Sequence, residues 1–194
     1  MYNILPYMHQ LLESDRHLFK LINSEWHNAI LDALLPLIRH QLYWAPFYLF
    51  MILFMVINYK KNGYWWVVFV ICLAVLTDFI SSDLIKENIY RLRPCNDPTM
   101  ADGLRFLLSY RPQSSSFTSS HATNHFGMAA FMFYTLRNQI GKTAWIFFIW
   151  AGLISYAQIY VGVHYPLDVI FGGLVGFLFG YLSARSFNKI YSLV

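Results

Sequence analysis

The stretch Tyr156-Ala-Gln-Ile-Tyr-Val-Gly-Val-His-Tyr-Pro-Leu-Asp168 places a histidine four residues before an aspartate, between two apolar runs. Pro166 is tolerated in the first turn of a helix, because its missing N–H would be unpaired there. We therefore expect His164 just before a helix N-terminus and Asp168 in the first turn, where its carboxylate can hold one imidazole N–H. The other ring nitrogen is then free and oriented, as a nucleophile or base requires. A capping aspartate beside an interfacial histidine is the structural alternative.

A second polar stretch carries two cations. Lys86 and Arg93 are seven residues apart, so on a helix they would share one face about 10 Å apart. Pro94 disfavours helix at Arg93 and should end the helix there. Long side chains could bring both cations to one anion, and a basic helix end at the lipid headgroups is the alternative.

A third polar stretch precedes an apolar run that begins at Ala122. Ser119 and Ser120 predict a helix N-cap, and free N–H groups from Ser119 to His121 would form an anion site beside the His121 ring. One alternative is a plain serine cap with a bystander histidine. Another is a metal site, since His121 and His125 are i, i+4. No nearby carboxylate or cysteine completes a ligand set, so we expect no metal.

Together these stretches supply two cations, a helix N-terminus and two histidines, one of them next to an aspartate. This is what phosphoryl transfer through a phosphohistidine needs. One histidine attacks phosphorus, the other protonates the leaving oxygen, and fixed donors hold the equatorial oxygens. Lysine and arginine supply the positive charge, so we expect no cofactor.

The elements that position these residues are predicted to be membrane helices. Of the 194 residues, 57% are hydrophobic and 12% charged, against about 25% charged in soluble domains. We predict one all-α integral membrane domain of five to six transmembrane helices: an interfacial N-terminal segment over residues 1–40 and a catalytic bundle over 42–185. The best spans cover about residues 42–58, 64–85, 122–136, 144–161 and 166–183. The apolar run 29–38 is short for a span, so it is predicted to be interfacial or re-entrant, or to form an irregular sixth span.

Basic residues in the short loops indicate an orientation. The positive-inside rule makes three segments cytoplasmic, namely those with Lys60 and Lys61, with Arg137 and Lys142, and with Arg185 and Lys189. The three polar stretches then lie on the extracytoplasmic face. The net charge of +4 fits contact with anionic lipids and does not indicate nucleic acid, because no basic stripe is interleaved with stacking aromatics.

The motifs resemble those of the type 2 phosphatidic acid phosphatases, relatives of vanadium haloperoxidases, over about residues 64–182. They read Lys-x6-Arg-Pro, Ser-x-His and His-x3-Asp. The resemblance implies a helical membrane bundle, usually of six spans, with His164 as nucleophile, Asp168 orienting it and His121 as leaving-group acid. It also implies that the phosphate is held by Lys86, Arg93, Ser119 and Ser120.

Two departures from the family pattern stand out. The second motif usually reads Pro-Ser-Gly-His, and here it is Thr118-Ser119-Ser120-His121. The third usually opens with Ser-Arg, where this chain has Ala157-Gln158. Gln158 can donate a neutral hydrogen bond to phosphate but brings no charge. We expect Arg91, Arg105 or Arg111 of the long loop to replace the missing arginine; a different phosphate geometry and a weak enzyme are the alternatives.

The resemblance implies a metal-independent phosphoric monoester or diphosphate hydrolase at the outer face of the inner (cytoplasmic) membrane. Undecaprenyl diphosphate is the first expected substrate, followed by phosphatidate-like lipids and lipid A phosphates. The alternatives are a lipid-to-lipid phosphotransferase and a non-catalytic lipid-phosphate binder or transporter. The expected partners are the lipid phosphate and membrane lipids, with no nucleic acid, and the sequence indicates no particular oligomeric state.

Overall fold

The computed structural model describes residues 5–193, which form helices and, within that range, no strand. The all-α prediction is therefore confirmed. The main elements are α1 (Leu5–Lys20), α2 (Ala29–Ile38), α3 (Ala45–Asp78), α4 (Lys86–Asn88), α5 (Ser120–Ile140), α6 (Ile146–Tyr160) and α7 (Pro166–Ile190). A π-helical turn at Leu21–Glu25 follows α1, and a second, at Phe79–Ile85, joins α3 to α4.

Within residues 5–193, three continuous helical stretches are long and apolar enough to cross a membrane: Gln41–Asn88, Ser120–Tyr160 and Pro166–Ile190. The first contains a break at Lys60, where φ is 47°. The second contains a break at Gly141, where φ is 60°. Each of these two stretches forms a helical hairpin, so the five predicted spans correspond to two hairpins and α7. α2 has ten residues and matches the short apolar run in extent.

Helices α5 and α7 pack with their backbones in close contact. Glycines recur every four residues along α7, at Gly172, Gly176 and Gly180. A Cβ at Gly176 would lie 2.1 Å from the Thr123 carbonyl oxygen, and one at Gly180 would lie 2.2 Å from that of Gly127. Small residues are typical of such membrane-helix contacts. The contacts advance along both helices together, so α5 and α7 are parallel and begin at the same end of the bundle.

The N-terminal segment packs on the end of the bundle where α5 and α7 begin. The Asn23 amide donates to the carbonyl oxygens of Arg105 and Tyr160, at 2.7 Å each. Asp32 accepts from the Arg105 guanidinium at 2.5 Å and from the Tyr160 hydroxyl at 2.6 Å. Several apolar side chains of α1 are exposed, among them Leu5, Tyr7, Met8 and Leu11. The interfacial position of α1 remains a prediction. The contacts of Asn23 and Asp32 attach the N-terminal segment to this end of the bundle.

The prediction that Lys86 and Arg93 share a helix face is wrong. The helix ends at Asn88, and Ile89 is extended, with φ −124° and ψ 105°. The Ser115 hydroxyl donates to the Ile89 carbonyl oxygen at 2.8 Å and accepts from the Arg91 N–H at 3.1 Å. Ser115 thus binds backbone groups that a longer helix would have paired internally. Arg93 follows in the loop, and it lines the same cavity as Lys86.

Candidate active site

A polar cavity of about 230 Å³ opens at the end of the bundle where α5 and α7 begin. It brings together side chains from the N-terminal segment, the end of α3, the long loop, α5, α6 and the turn before α7. Its lining residues are Arg39, Gln41, Asp78, Ser82, Lys86, Arg93, Tyr110, Pro112, Ser120, His121, Asn124, Gln158 and His164. Of the eight predicted site residues, six therefore line one cavity, while Ser119 and Asp168 lie behind its wall.

His164 lies in the turn between α6 and α7, as its spacing from Pro166 predicts. The turn passes through Gly162, whose φ of 90° suits glycine. Arg93 Nη1 lies 3.1 Å from His164 Nε2. A guanidinium can only donate, so Nε2 is the acceptor and carries a lone pair. Burial, helped by repulsion from Arg93, lowers the pKa of His164 to about 4 although Asp168 opposes the shift. The imidazole is therefore neutral, with its proton on Nδ1.

Asp168 lies in the first turn of α7, as predicted, but does not hold His164 directly. The distance from His164 Nδ1 to Asp168 Oδ2 is 3.7 Å, too long for a hydrogen bond. The Ser116 hydroxyl lies between them. It donates to Asp168 Oδ2 at 2.5 Å and is 3.5 Å from His164 Nδ1. The same carboxylate oxygen also accepts from the Tyr165 N–H at 2.9 Å. The expected contact is thus relayed through a serine that no spacing rule identified.

A buried ion network supports Asp168 from behind. Arg91 Nη1 donates to Asp168 Oδ1 at 2.6 Å, and Arg91 Nη2 donates to Asp15 Oδ2 at 2.5 Å. Although burial works against its charge, the two carboxylates raise the pKa of Arg91. Asp15 belongs to α1 and also accepts from the Leu167 N–H at 2.8 Å, at the start of α7. The N-terminal helix is therefore connected to the Asp168 carboxylate through one arginine.

The start of α5 forms one wall of the cavity. Ser119 is the N-cap, with its side chain accepting from the Ala122 N–H. The prediction that the Ser119 N–H is free is wrong, because this N–H donates to the Asp168 carbonyl oxygen at 3.0 Å. Among the described residues, the N–H groups of Ser120 and His121 donate no hydrogen bond. The Lys86 ammonium donates to Ser120 Oγ at 2.6 Å, so a cation and two N–H groups share this wall.

His121 and His125 differ in what their ring nitrogens contact. His125 Nδ1 lies 2.7 Å from the His121 carbonyl oxygen and His125 Nε2 lies 3.2 Å from the Tyr48 hydroxyl. Both nitrogens of His125 are thus engaged by the protein. The His121 ring lines the polar cavity, and in the described part of the chain its nitrogens have no partner. The pair does not present two free nitrogens to one ion, whereas His121 alone is available for proton transfer.

Gln158 contacts an arginine that the sequence did not single out. Its Oε1 accepts from Arg39 Nε at 3.2 Å, and its buried Nε2 has no partner within residues 5–193. Arg39 follows α2, is 7% exposed and lines the polar cavity. The expectation that a loop arginine takes this place is wrong. Arg91 binds Asp15 and Asp168, and the other two bind acceptors away from the cavity: Arg105 binds Asp32, and Arg111 binds the Cys95 carbonyl oxygen.

An apolar pocket of about 300 Å³ adjoins the polar cavity. It lies between the two limbs of α3 and helix α5, and it shares Gln41 and Asn124 with the polar cavity. Its walls are mainly Met51, Trp66, Val70 and Met128. A ligand with a charged head and an apolar tail could therefore occupy both spaces at once.

Comparison with known proteins gives a consistent result. The model of the PAP2 superfamily matches residues 63–192. The lipid A 4'-phosphatase of Porphyromonas gingivalis is 31% identical over 92% of this chain and 78% of its own length. The undecaprenyl-diphosphatase of Sulfolobus acidocaldarius is 32% identical over 87% of this chain and 76% of its own length.

Two solved structures are similar over most of the chain. The crystal structure of Aquifex aeolicus LpxE aligns with a TM-score of 0.64 and 27% identity, covering 87% of this chain and 93% of that one. The transmembrane PAP2-type phosphatidylglycerolphosphate phosphatase of Bacillus subtilis aligns with a TM-score of 0.70 and 21% identity. That alignment covers 93% of this chain and 88% of the other and shows a shared membrane fold.

Proposed function

This chain belongs to the PAP2 superfamily, and we propose that it is a multi-pass membrane lipid phosphatase that works through a phosphohistidine on His164. The observation that carries the proposal is the state of that histidine. It is buried, neutral and oriented, with the Nε2 lone pair at the polar cavity and Nδ1 toward Ser116 and Asp168. A nucleophilic imidazole needs this arrangement.

In the first step, the Nε2 lone pair attacks phosphorus and the bond from phosphorus to the lipid oxygen breaks. His121, protonated to an imidazolium when the phosphate dianion binds beside it, gives that proton to the oxygen, so the lipid leaves as an alcohol and His121 becomes neutral. Lys86 and the N–H groups of Ser120 and His121 hold the equatorial oxygens. Arg93, whose other N–H groups bind the loop and the turn, contributes its charge and the Nη1 donor that leaves His164 Nε2 as the attack begins. The imidazole becomes positive as the N–P bond forms, and the Asp168 carboxylate, relayed by Ser116, stabilises that charge.

In the second step, water attacks the phosphohistidine. The neutral His121 now accepts a proton from the water as its oxygen bonds to phosphorus and the P–N bond breaks. Inorganic phosphate leaves, and both histidines return to their starting states. No group outside the cavity and the substrate is required for the atoms and protons to balance.

The test is phosphate release from purified lipid phosphates in mixed micelles, comparing the wild type with His164→Ala. We expect release by the wild type, none above background by the variant, and a ³²P label on the quenched wild type alone. Release by His164→Ala at the wild-type rate would overturn the mechanism. Label appearing on a second lipid would identify the phosphotransferase alternative, and bound substrate without release would identify a binder or transporter.

For the substrate we propose a phosphate monoester on a hydroxyl-bearing headgroup, of the lipid A 4'-phosphate kind. The polar cavity contains three cations and one carboxylate, Asp78, which suits a single phosphate dianion. Neutral polar side chains at Gln41, Tyr110 and Asn124 could bind sugar hydroxyls. The apolar pocket would take part of an acyl chain. The lipid A 4'-phosphatases of Porphyromonas gingivalis and Bacteroides thetaiotaomicron, 31% and 27% identical, support this choice.

Undecaprenyl diphosphate is the second candidate, supported by the undecaprenyl-diphosphatase relative. A panel containing a lipid A bisphosphate, undecaprenyl diphosphate and phosphatidate would separate the two by kcat/KM. We expect the monoester of the glycolipid to be preferred by at least tenfold. A preference of at least tenfold for undecaprenyl diphosphate would reverse the order of the two candidates and leave the phosphatase proposal intact.

We also propose that the reaction is metal-independent and that the cavity faces the extracytoplasmic side of the inner membrane. Lysine and arginine supply the positive charge that the reaction needs. At the opposite end of the bundle, the turn after Lys60 and Lys61 contacts the end of α7, where the Asn62 amide donates to the Tyr191 carbonyl oxygen. By the positive-inside rule this lysine-bearing end is cytoplasmic. Chelators should leave turnover unchanged, and vanadate should inhibit it as a five-coordinate mimic. Loss of activity in chelator that zinc restores would count against the first proposal. A cytoplasm-specific reporter that is inactive when fused after Gly141 would count against the second.

A further inference from the structure

Arg39 stands out among the arginines at this end of the protein. Like Arg93, it is almost fully buried, at 7% exposure, and has no carboxylate partner in the described part of the chain, but Arg93 has its terminal nitrogens bound to Val163, His164, Ser114 and Ser115 and Arg39 does not. Its Nε is bound to Gln158 Oε1 at 3.2 Å, and no acceptor within residues 5–193 takes Nη1 or Nη2. Arg91, by contrast, is neutralised by Asp15 and Asp168. A guanidinium stays charged in proteins, so a buried one without a counter-charge is unfavourable unless an anion joins it.

The surroundings of Arg39 indicate which anion that is. Its side chain lines the same cavity as Lys86, Arg93 and His164. Burial lowers the pKa of Arg93, and repulsion from the nearby Arg39 adds to the effect. A phosphoryl group held between these cations would relieve that repulsion. A planar guanidinium with two free terminal nitrogens also matches two phosphate oxygens at once.

Gln158 explains how the arginine is held. Its Oε1 can only accept, and it binds Arg39 Nε, which leaves the guanidinium fork turned away from Gln158. The Gln158 Nε2 is fully buried and unpartnered in the described structure. Gln158 occupies the position where the resembling family has an arginine. The positive charge missing at position 158 is present beside it, on the Arg39 guanidinium that contacts the Gln158 side chain.

We propose that Arg39 is a phosphate-binding residue of the active site, supplied by the segment after α2, and that Gln158 is the positioning residue that orients it. The inference rests on the proposed phosphatase function for its substrate, but its central claim is the binding of a tetrahedral or five-coordinate oxyanion. That claim can be measured without turnover.

The test uses the full chain in detergent and four variants: Arg39→Ala, Arg39→Lys, Gln158→Arg and the double variant Arg39→Ala with Gln158→Arg. For Arg39→Ala we expect kcat/KM to fall about a hundredfold, the size typical of losing one donor to a transferring group. The inhibition constant of vanadate should rise at least tenfold. The melting temperature without ligand should not fall, because an unpaired buried cation has been removed.

The remaining variants separate charge from position. Arg39→Lys should keep part of the activity, because the charge remains and the fork is lost. Gln158→Arg should lower activity, since two guanidiniums then compete for one space. The double variant should recover at least tenfold over Arg39→Ala, because the charge returns from position 158. Arg111→Ala is the control, because Arg111 binds the Cys95 carbonyl oxygen and does not line the cavity, and it should change neither turnover nor vanadate inhibition.

Two results would overturn the inference. One is Arg39→Ala with kcat/KM and vanadate inhibition within twofold of the wild type. The other, which decides the matter should Arg39→Ala fail to fold, is a folded Arg39→Gln variant with both quantities within twofold of the wild type. If the wild type released no phosphate from any lipid, the proposed function would fail separately. Vanadate binding measured by thermal shift would still test Arg39.

Discussion

Replacing Ser116 by alanine tests how the Asp168 carboxylate acts on His164. Ser116 Oγ donates to Asp168 Oδ2 at 2.5 Å and is 3.5 Å from His164 Nδ1, whereas the carboxylate is 3.7 Å from that nitrogen. Removing the hydroxyl removes the only side chain that bridges the two within the described structure. A hydrogen bond to a charged group contributes about 1.5–3 kcal/mol. A loss of about 2 kcal/mol in the transition state lowers kcat roughly thirtyfold.

The fold should survive the change. Asp168 keeps the Arg91 guanidinium at 2.6 Å and the Tyr165 N–H at 2.9 Å. The Ser116 N–H also keeps its bond to the Arg91 carbonyl oxygen at 2.8 Å. We therefore expect the variant to fold, with a melting temperature lowered by about 3–12 °C, since the lost bond contributes about 1.5–3 kcal/mol and about 1 kcal/mol shifts a chain of this size by about 2–4 °C. The kcat of the folded variant is then the measure of the relay.

The assay is phosphate release at saturating lipid phosphate, with thermal unfolding measured on the same preparation. Ser155→Ala is the matched control: Ser155 is as buried as Ser116, but its hydroxyl has no partner among the described residues. It should leave kcat and the melting temperature unchanged. If Ser116→Ala kept kcat within threefold of the wild type, the relay would be refuted and Asp168 would act on His164 directly or not at all.

Three further changes test other parts of the structure. Arg91→Met should destabilise the protein by about 3–5 kcal/mol, because it strands two buried carboxylates; a double variant with Asp15→Asn should recover part of the loss, and a melting temperature equal to the wild type would contradict the network. Because the folded pKa of His164 is about 4 and its ordinary value 6.5, the unfolded chain binds the extra proton first, so stability should fall as pH drops from 6.5 toward 4. His164→Ala should remove that part of the fall, and an identical pH profile would refute the assignment. Gly176→Ala should lower the melting temperature sharply, since its Cβ would lie 2.1 Å from a backbone oxygen. Gly152→Ala, which meets nothing within 4 Å, should be neutral or slightly stabilising.

The spans and the helix-end motifs could be predicted from the sequence because they depend on local signals. A membrane span requires about 20 apolar residues, and the predicted runs fall within the two hairpins and α7. Pro166 and Asp168 likewise mark the start of α7 by their own chemistry. The position of His164 therefore followed from its neighbours in the chain.

The parts that could not be predicted depend on contacts between distant segments. Arg39 and Gln158 are 119 residues apart, and Ser116 and Asp168 are 52 apart. No periodicity or spacing joins such pairs. The wrong prediction that Lys86 and Arg93 share a helix face has a similar origin. The helix ends at Asn88 and does not continue to Pro94, because the Ser115 hydroxyl of the distant loop binds the Ile89 carbonyl oxygen.

The contact between Arg39 and Gln158 joins a residue outside the family-matched region 63–192 to one inside it. The residue that is favourable at one of these two positions therefore depends on the residue at the other. A chain with arginine at both would bury two like charges side by side, and a chain with arginine at neither would lack a phosphate ligand. Among homologues we expect these positions to covary, with a cation at one accompanied by a neutral residue at the other. A homologue that lacks the third-motif arginine is therefore expected to remain active if it has an arginine just after the short helix that precedes the bundle.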